Sequence, residues 1–131
     1  MTSDIRSAAQ ACTLGSDQEL MSFPEVLGRL AAVGIERYHA DLQRAEKTYY
    51  LPDGRFEVTP TLDLAEPAAE AFDAAGVELA VRDSQAGIIK YKAFCSRILR
   101  AGCVGYFVSL AGHRAVYYGR TGETHVELFP N

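Results

Sequence analysis

Apolar positions along this chain recur at helical spacing, then at strand spacing, and the same switch happens again further on. Val26, Leu27, Leu30 and Val33 form a stripe at intervals of three and four, the signature of one face of a helix. Ser22-Phe23-Pro24-Glu25 precedes it. Ser22 can cap the free N–H groups, and Glu25 completes a capping box three residues on. Pro24 falls in the first turn, where a missing N–H costs little. Gly34 ends the stripe by supplying the left-handed residue common just past a helix. From Ile35 to Leu42 the period becomes two. Tyr38, Ala40 and Leu42 share one parity and Arg37, His39 and Asp41 the other, which predicts a half-buried strand. Gln43 to Glu46 reads as a turn and Lys47 to Leu51 as a second strand. Pro52-Asp53-Gly54 is a turn in which Pro presets one angle and Gly supplies positive φ. Arg55 to Thr59 is the third strand.

Displaced by 68 residues, the chain matches itself without a gap. Gly34 falls on Gly102, Tyr38 on Tyr106, Leu42 on Leu110, Tyr49-Tyr50 on Tyr117-Tyr118, Gly54 on Gly122 and Val58 on Val126. Between the identities, apolar residues replace apolar ones: Phe23 with Tyr91, Val26 with Phe94, Leu30 with Ile98, Ile35 with Cys103. A repeat of this kind has to be found before a fold is assigned. A further helix precedes each copy, Ser3 to Leu14 in the first and about Pro67 to Gln85 in the second, the latter loosened at Gly76. The expected fold class is therefore α+β. It is a single domain over 1–131, a tandem duplication of a helix-helix-three-strand-meander unit. The repeats cover approximately 1–60 and 67–130, with 59–66 (TPTLDLAE) as linker. Neither unit has enough core to stand alone, so the meanders should form antiparallel sheet related by a pseudo-twofold, with helices on one face.

Composition narrows the function classes. A net charge of −4 with thirteen scattered Lys and Arg lacks the basic face of a nucleic-acid binder. No apolar stretch approaches the length that spans a bilayer, and MTSDIRSAAQAC has no basic region followed by an apolar run. Cys12, Cys95 and Cys103 are odd in number and lack the close pairs of metal or redox sites. A reducing, cytoplasmic setting is expected. Three histidines without HxH or HExxH spacing give no metal motif, and no cofactor is implied.

Certain segments carry a resemblance. They are Gly34-Ile35-x-Arg37-Tyr38-x-x-Asp41-Leu42 with Thr48-Tyr49-Tyr50, and Tyr91-Lys92-Ala93-Phe94-Cys95 with Val116-Tyr117-Tyr118. Over roughly Ser3 to Pro130 the chain resembles the bacterial domain-of-unknown-function family 1398, some of whose members are labelled "phage envelope protein". The resemblance implies no activity and supplies no catalytic residues.

Candidate sites follow from the repeat. Cys95 and Cys103 occupy the positions of Leu27 and Ile35, so both are expected in the core as small hydrophobes. One Tyr of each adjacent pair should pack under the helices and the other on the opposite face. Arg37, His39 and Asp41 point from one face of one strand, and their equivalents are Gly105, Phe107 and Ser109. The core parity is kept between the copies and the open parity diverges. His39 and Asp41, two apart, are placed to meet as an oriented base, and Arg37 to hold an anion. Lys47 and one Tyr of the pair, Tyr49 or Tyr50, are candidates to join from the next strand, with Phe107 and Tyr117 lining the other half. His113, in a turn, and His125, on a strand, read as surface residues. Three functions compete. The first is a module binding a small, anionic ligand on the open sheet face. The second is a protein-interaction or homodimeric assembly module. The third is an enzyme using His39 and Asp41. A partner is thus expected to be a small molecule or a second copy, and neither nucleic acid nor membrane.

Overall fold

The computed structural model describes residues 2–129. Its elements are α1 (Thr2–Asp17), α2 (Phe23–Ala32), β1 (Arg37–Asp41), β2 (Glu46–Tyr50), β3 (Phe56–Pro60), α3 (Ala74–Gln85), α4 (Tyr91–Arg100), β4 (Cys103–Ser109), β5 (Arg114–Gly119) and β6 (Thr124–Leu128). The fold is α+β, as the alternation of periods predicts.

The local causes are those written in the residues. Ser22 Oγ accepts from the Glu25 N–H, and Glu25 Oε1 accepts from the Ser22 N–H at 3.0 Å, so the capping box of α2 is complete. Gly102 closes α4 with φ +84°, and a Cβ there would lie 2.2 Å from the Ala71 carbonyl oxygen. Conformation and space both require glycine at that position.

The helix expected from about Pro67 instead begins at Ala74. Asp73 is its N-cap and accepts from the Gly76 N–H, so Gly76 lies in the first turn and loosens nothing. The segment before it is held elsewhere. Ala69 N–H donates to the Leu99 carbonyl and Asp73 N–H to the Ala101 carbonyl, satisfying acceptors that the end of α4 leaves open.

All strand pairs are antiparallel, and the six strands lie in the order β3-β2-β1-β4-β5-β6. α1 packs on β3, α4 on β4 and α3 on β6, with α2 against α1. The core lies between helices and sheet. On the sheet side it contains a row of tyrosines running across four strands, Tyr49, Tyr38, Tyr106 and Tyr117, with successive ring centroids 5.2, 6.4 and 5.3 Å apart. Each such pair adds ~0.5–1.5 kcal/mol beyond burial. Val26, Leu30, Val77, Phe94 and Ile98 cover the row from the helices. Two of the four hydroxyls are answered from above. Tyr49 and Thr13 share a hydrogen bond of 2.7 Å, Thr13 and Thr59 one of 2.8 Å, and Tyr106 and Tyr91 one of 3.0 Å. Among the described residues, no helix is long and apolar enough to cross a membrane.

Burial raises the pKa of Tyr38, Tyr49, Tyr91, Tyr106 and Tyr117 above the ordinary value of 10.0. A group raised in the folded state contributes stability that is complete below its unfolded pKa and is lost as pH rises beyond it. Stability should therefore fall steeply above about pH 10. In an alkaline titration the ultraviolet phenolate band of these five residues should emerge in one step together with loss of the circular-dichroism signal. Phenolate appearing while the fold persists would contradict the burial of the row.

Candidate functional site

Strand register converts the outward parity into a grid of three rows on six strands. The upper row, from β3 to β6, is Phe56, Tyr50, Arg37, Ser109, Arg114 and Leu128. The middle row is Val58, Thr48, His39, Phe107, Val116 and Val126. The lower row is Pro60, Glu46, Asp41, Gly105, Tyr118 and Thr124. With the helices packed on the other face, this grid is left open.

Arg37, His39, Asp41 and Phe107 all stand on it, at the centre. The Arg37 guanidinium lies 4.3 Å over the Tyr50 ring and pairs with Glu36. His39 is part of a three-ring aromatic cluster, its ring 4.4 Å from Phe107 and 5.9 Å from Tyr118, both stacked, with Phe107 and Tyr118 themselves 5.8 Å apart. His39 Nε2 and the Tyr118 hydroxyl share a hydrogen bond of 2.6 Å.

Gly105 makes that bond reachable. Tyr118 lies two strands away from β1 and must cross β4 to meet His39. A Cβ on Gly105 would be 2.5 Å from the Tyr118 hydroxyl oxygen and 2.7 Å from the Ala40 carbonyl oxygen. The pairing of β4 with β5 also shifts between Cys103 and Gly105, a bulge of the kind that re-aims a side chain.

The structure revises the expected pairing of His39 with Asp41. Asp41 Oδ1 accepts from the Gln43 N–H at 3.0 Å and the Arg44 N–H at 2.9 Å. The carboxylate is spent on capping the β1–β2 turn, as Asp commonly is, and the imidazole bonds to a phenol instead. No oriented base results. Burial lowers the His39 pKa below 6.5, against an opposing pull from Asp41. Burial also pushes the Tyr118 phenol up to about 12.

Lys47, Tyr49 and Tyr117 do not join this face. They share the inward parity and are buried under the helices. Lys47 is 2 % exposed, with Nζ 4.5 Å from the centroid of the Tyr91 ring. Among the described residues no carboxylate forms an ion pair with it, and burial lowers its pKa below 10.5. The outward Tyr of each pair is Tyr50 and Tyr118. Arg114, at the same parity as Tyr118, is the signal in the sequence that points to this. His125 also departs from a surface position. It faces the helices, stacks on Tyr117, and its Nε2 lies 3.0 Å from Glu127 Oε2, while Glu127 pairs with Arg82 of α3 at 3.3 Å. His113 sits in the β4–β5 turn with φ 51°. Cys12, Cys95 and Cys103 are buried, and burial pushes the Cys95 and Cys103 thiols up to about 11, which makes them poor nucleophiles.

The hollows are shallow. One of about 290 Å³ lies on the open face and is lined by His39, Asp41, Arg44, Glu46, Thr48, Tyr50, Phe56 and Val58. Another, of about 550 Å³, lies at the sheet edge between Ile5 of α1 and the 51–57 turn. Neither contains Arg37 or Phe107. Among the described residues no three His, Cys, Asp or Glu side chains converge to hold a metal ion.

The family model for proteins of unknown function designated DUF1398 matches residues 18–127. The chain belongs to that family. Uncharacterised proteins from two strains of Mycobacterium tuberculosis and one of Mycobacterium bovis are each 29% identical to it over 117 residues, covering 79% of this chain and 71% of theirs. The DUF1398 match takes in β1 to β5 and β6 up to Glu127, and begins just after α1, the helix whose Thr13 answers Tyr49. Neither the family nor these relatives bring a described activity, so function rests on the geometry.

Two consequences are measurable. A base whose pKa is lowered on folding leaves the unfolded state to take up the proton first, so stability falls as pH drops from 6.5 through the lower folded value. His39→Gln should flatten this acid limb in a series of urea melts. Gly105→Ala should displace Tyr118 and return the His39 pKa, followed by proton NMR, towards 6.5. An unmoved titration would mean that Tyr118 does not shield it. Separately, Lys47→Met removes a buried ammonium that no carboxylate of the described residues pairs with and should raise stability by roughly 1 kcal/mol in chemical denaturation. A loss of stability would show the ammonium to be well solvated where it lies.

Proposed function

We propose that this chain is an assembly module that self-associates through the open face of its sheet. One observation carries the reading. Phe56, Val58, Phe107, Val126 and Leu128 are 45–63 % exposed, and all five stand on that one face. An antiparallel sheet with one solvated face usually places polar residues there. Exposed apolar side chains gathered on one face mark an interaction surface. The size is appropriate for a second copy. Six strands about 4.8 Å apart, with three outward rows, give a flat footprint of roughly 500 Å². With side-chain relief the accessible area approaches the ~800 Å² per partner of a standard interface. A small-ligand reading finds less support, because the hollow beside His39 is open and, at about 290 Å³, lies only at the lower edge of the ~300–1,000 Å³ of ligand sites, which enclose most of what they bind.

The same reading takes the chain as one domain formed by tandem duplication. The halves, about 1–60 and 67–130, are joined by 59–66 and related by a pseudo-twofold normal to the sheet between β1 and β4. Support comes from His39 and Phe107, which lie 68 positions apart in sequence and are direct register partners. The inward parity is retained by both halves, while the outward parity has diverged to form the patch.

In sedimentation equilibrium the full chain should be dimeric at about 10 μM. Phe107→Glu should weaken the dimer at least tenfold without changing the circular-dichroism spectrum. A chain that stays monomeric at millimolar concentration would sink the proposal.

A further inference from the structure

Resting on the reading of the open face as a self-association surface, we infer that the second copy docks with its strands antiparallel to those of the first. The two-fold axis then lies between the sheets and perpendicular to the strands.

The charge pattern of the grid selects this geometry. Of the eighteen outward strand positions, the upper row holds two cations, Arg37 and Arg114, and the lower row two anions, Asp41 and Glu46. The middle row has no charge at neutral pH, because His39 is held neutral by its surroundings. Aligned packing of two sheets allows only two simple two-fold axes in the plane between them. If the axis runs along the strands, upper row meets upper row. Because β1 lies beside the centre of the sheet, the two Arg37 side chains then face each other about one strand-width apart, and so do the two Asp41 side chains. Like charges so placed are repulsive. If the axis runs across the strands, each strand faces its own counterpart reversed. Arg37 then faces Asp41 of the second copy, with that copy's Glu46 alongside, and Arg114 faces the Tyr118 ring. Val58, Phe107, Val116 and Val126 meet themselves along the axis. Beyond the rows, Asp53 pairs with Arg55 in the β2–β3 turn. Within and beside them Glu46 pairs with Arg44, and Arg37 with Glu36 of its own chain. This leaves Asp41 below and Arg114 above as the row charges not ion-paired among the described residues, still of opposite sign at opposite ends.

The two geometries differ most at the sheet edge. Across-strand symmetry puts Val126 of one copy opposite Val126 of the other, separated by the sheet spacing of ~10 Å. Along-strand symmetry puts β6 over β3, so that the two Val126 positions are roughly 25 Å apart. The three native cysteines are buried, so an introduced surface thiol is the one that reacts. Val126→Cys, treated with a bis-maleimide no longer than ~10 Å, should yield a covalent dimer in most of the molecules, and Thr48→Cys should do the same on β2. The parent chain should not cross-link. If sedimentation shows a dimer but neither single-cysteine protein cross-links, the orientation is wrong and the assembly surface stands. Cross-linking only when Val58→Cys and Val126→Cys proteins are mixed would establish the opposite axis. A parent chain that is monomeric in sedimentation removes the surface and the orientation together.

Discussion

Four tyrosines cross the middle of the sheet on its covered side, and burying them dictates much of the layout around them. A tyrosine ring is large and apolar, but its hydroxyl must find a partner once water is excluded. Tyr49 finds Thr13 on α1, and Tyr106 finds Tyr91 at the start of α4. These bonds reach from sheet to helix, so they fix where the helices rest as well as that they cover the sheet. The row spans β2, β1, β4 and β5, two strands from each half of the chain. Neither half alone could enclose it, which ties the halves into one core.

Concentrating the helices on one side leaves the other uncovered. On that face the register sets apolar residues at both edges and across the middle row, with cations above and anions below. Its centre is organised: His39, Phe107 and Tyr118 stack over a glycine that leaves room for the tyrosine to cross. The arrangement half-shields an imidazole from water without enclosing it in a pocket. On the proposed reading this is a surface that docks flat, and one oxygen of the neighbouring Asp41 carboxylate is held by its own turn.

Most elements were legible in the sequence because their causes are local. Ser22 with Glu25, Gly34 and the Pro52-Asp53-Gly54 turn act within a few residues, and the structure uses each where it stands. The parity of β1 was likewise readable, since Arg37, His39 and Asp41 contrast with Tyr38 and Ala40. The segment 67–73 was not. It has enough alanine to suggest a helix, but its N–H groups bond to carbonyls at the end of α4, thirty residues further on, and Asp73 is the better cap. His125 was misplaced for a similar reason: the partners that draw it inward, Glu127 and Arg82, are brought together only by α3 packing on β6.

By itself, then, the sequence determined the kinds of element, their caps and turns, and which side chains share a strand face, because helix and strand periods are short-range geometry. Only the tertiary structure decided which strands are neighbours and which face is covered. The contrast is plainest at two positions. Lys47 shares parity with Tyr49, yet nothing local says that a lysine will lie in the core; the Tyr91 ring, forty-four residues away, is what receives its ammonium. Tyr117 and Tyr118 are adjacent and chemically identical. Tyr118 becomes the outward one, reaching His39, because of the β4–β5 register, the bulge beside Gly105 and the space that glycine leaves. Those are long-range contacts, and no short stretch of sequence contains them.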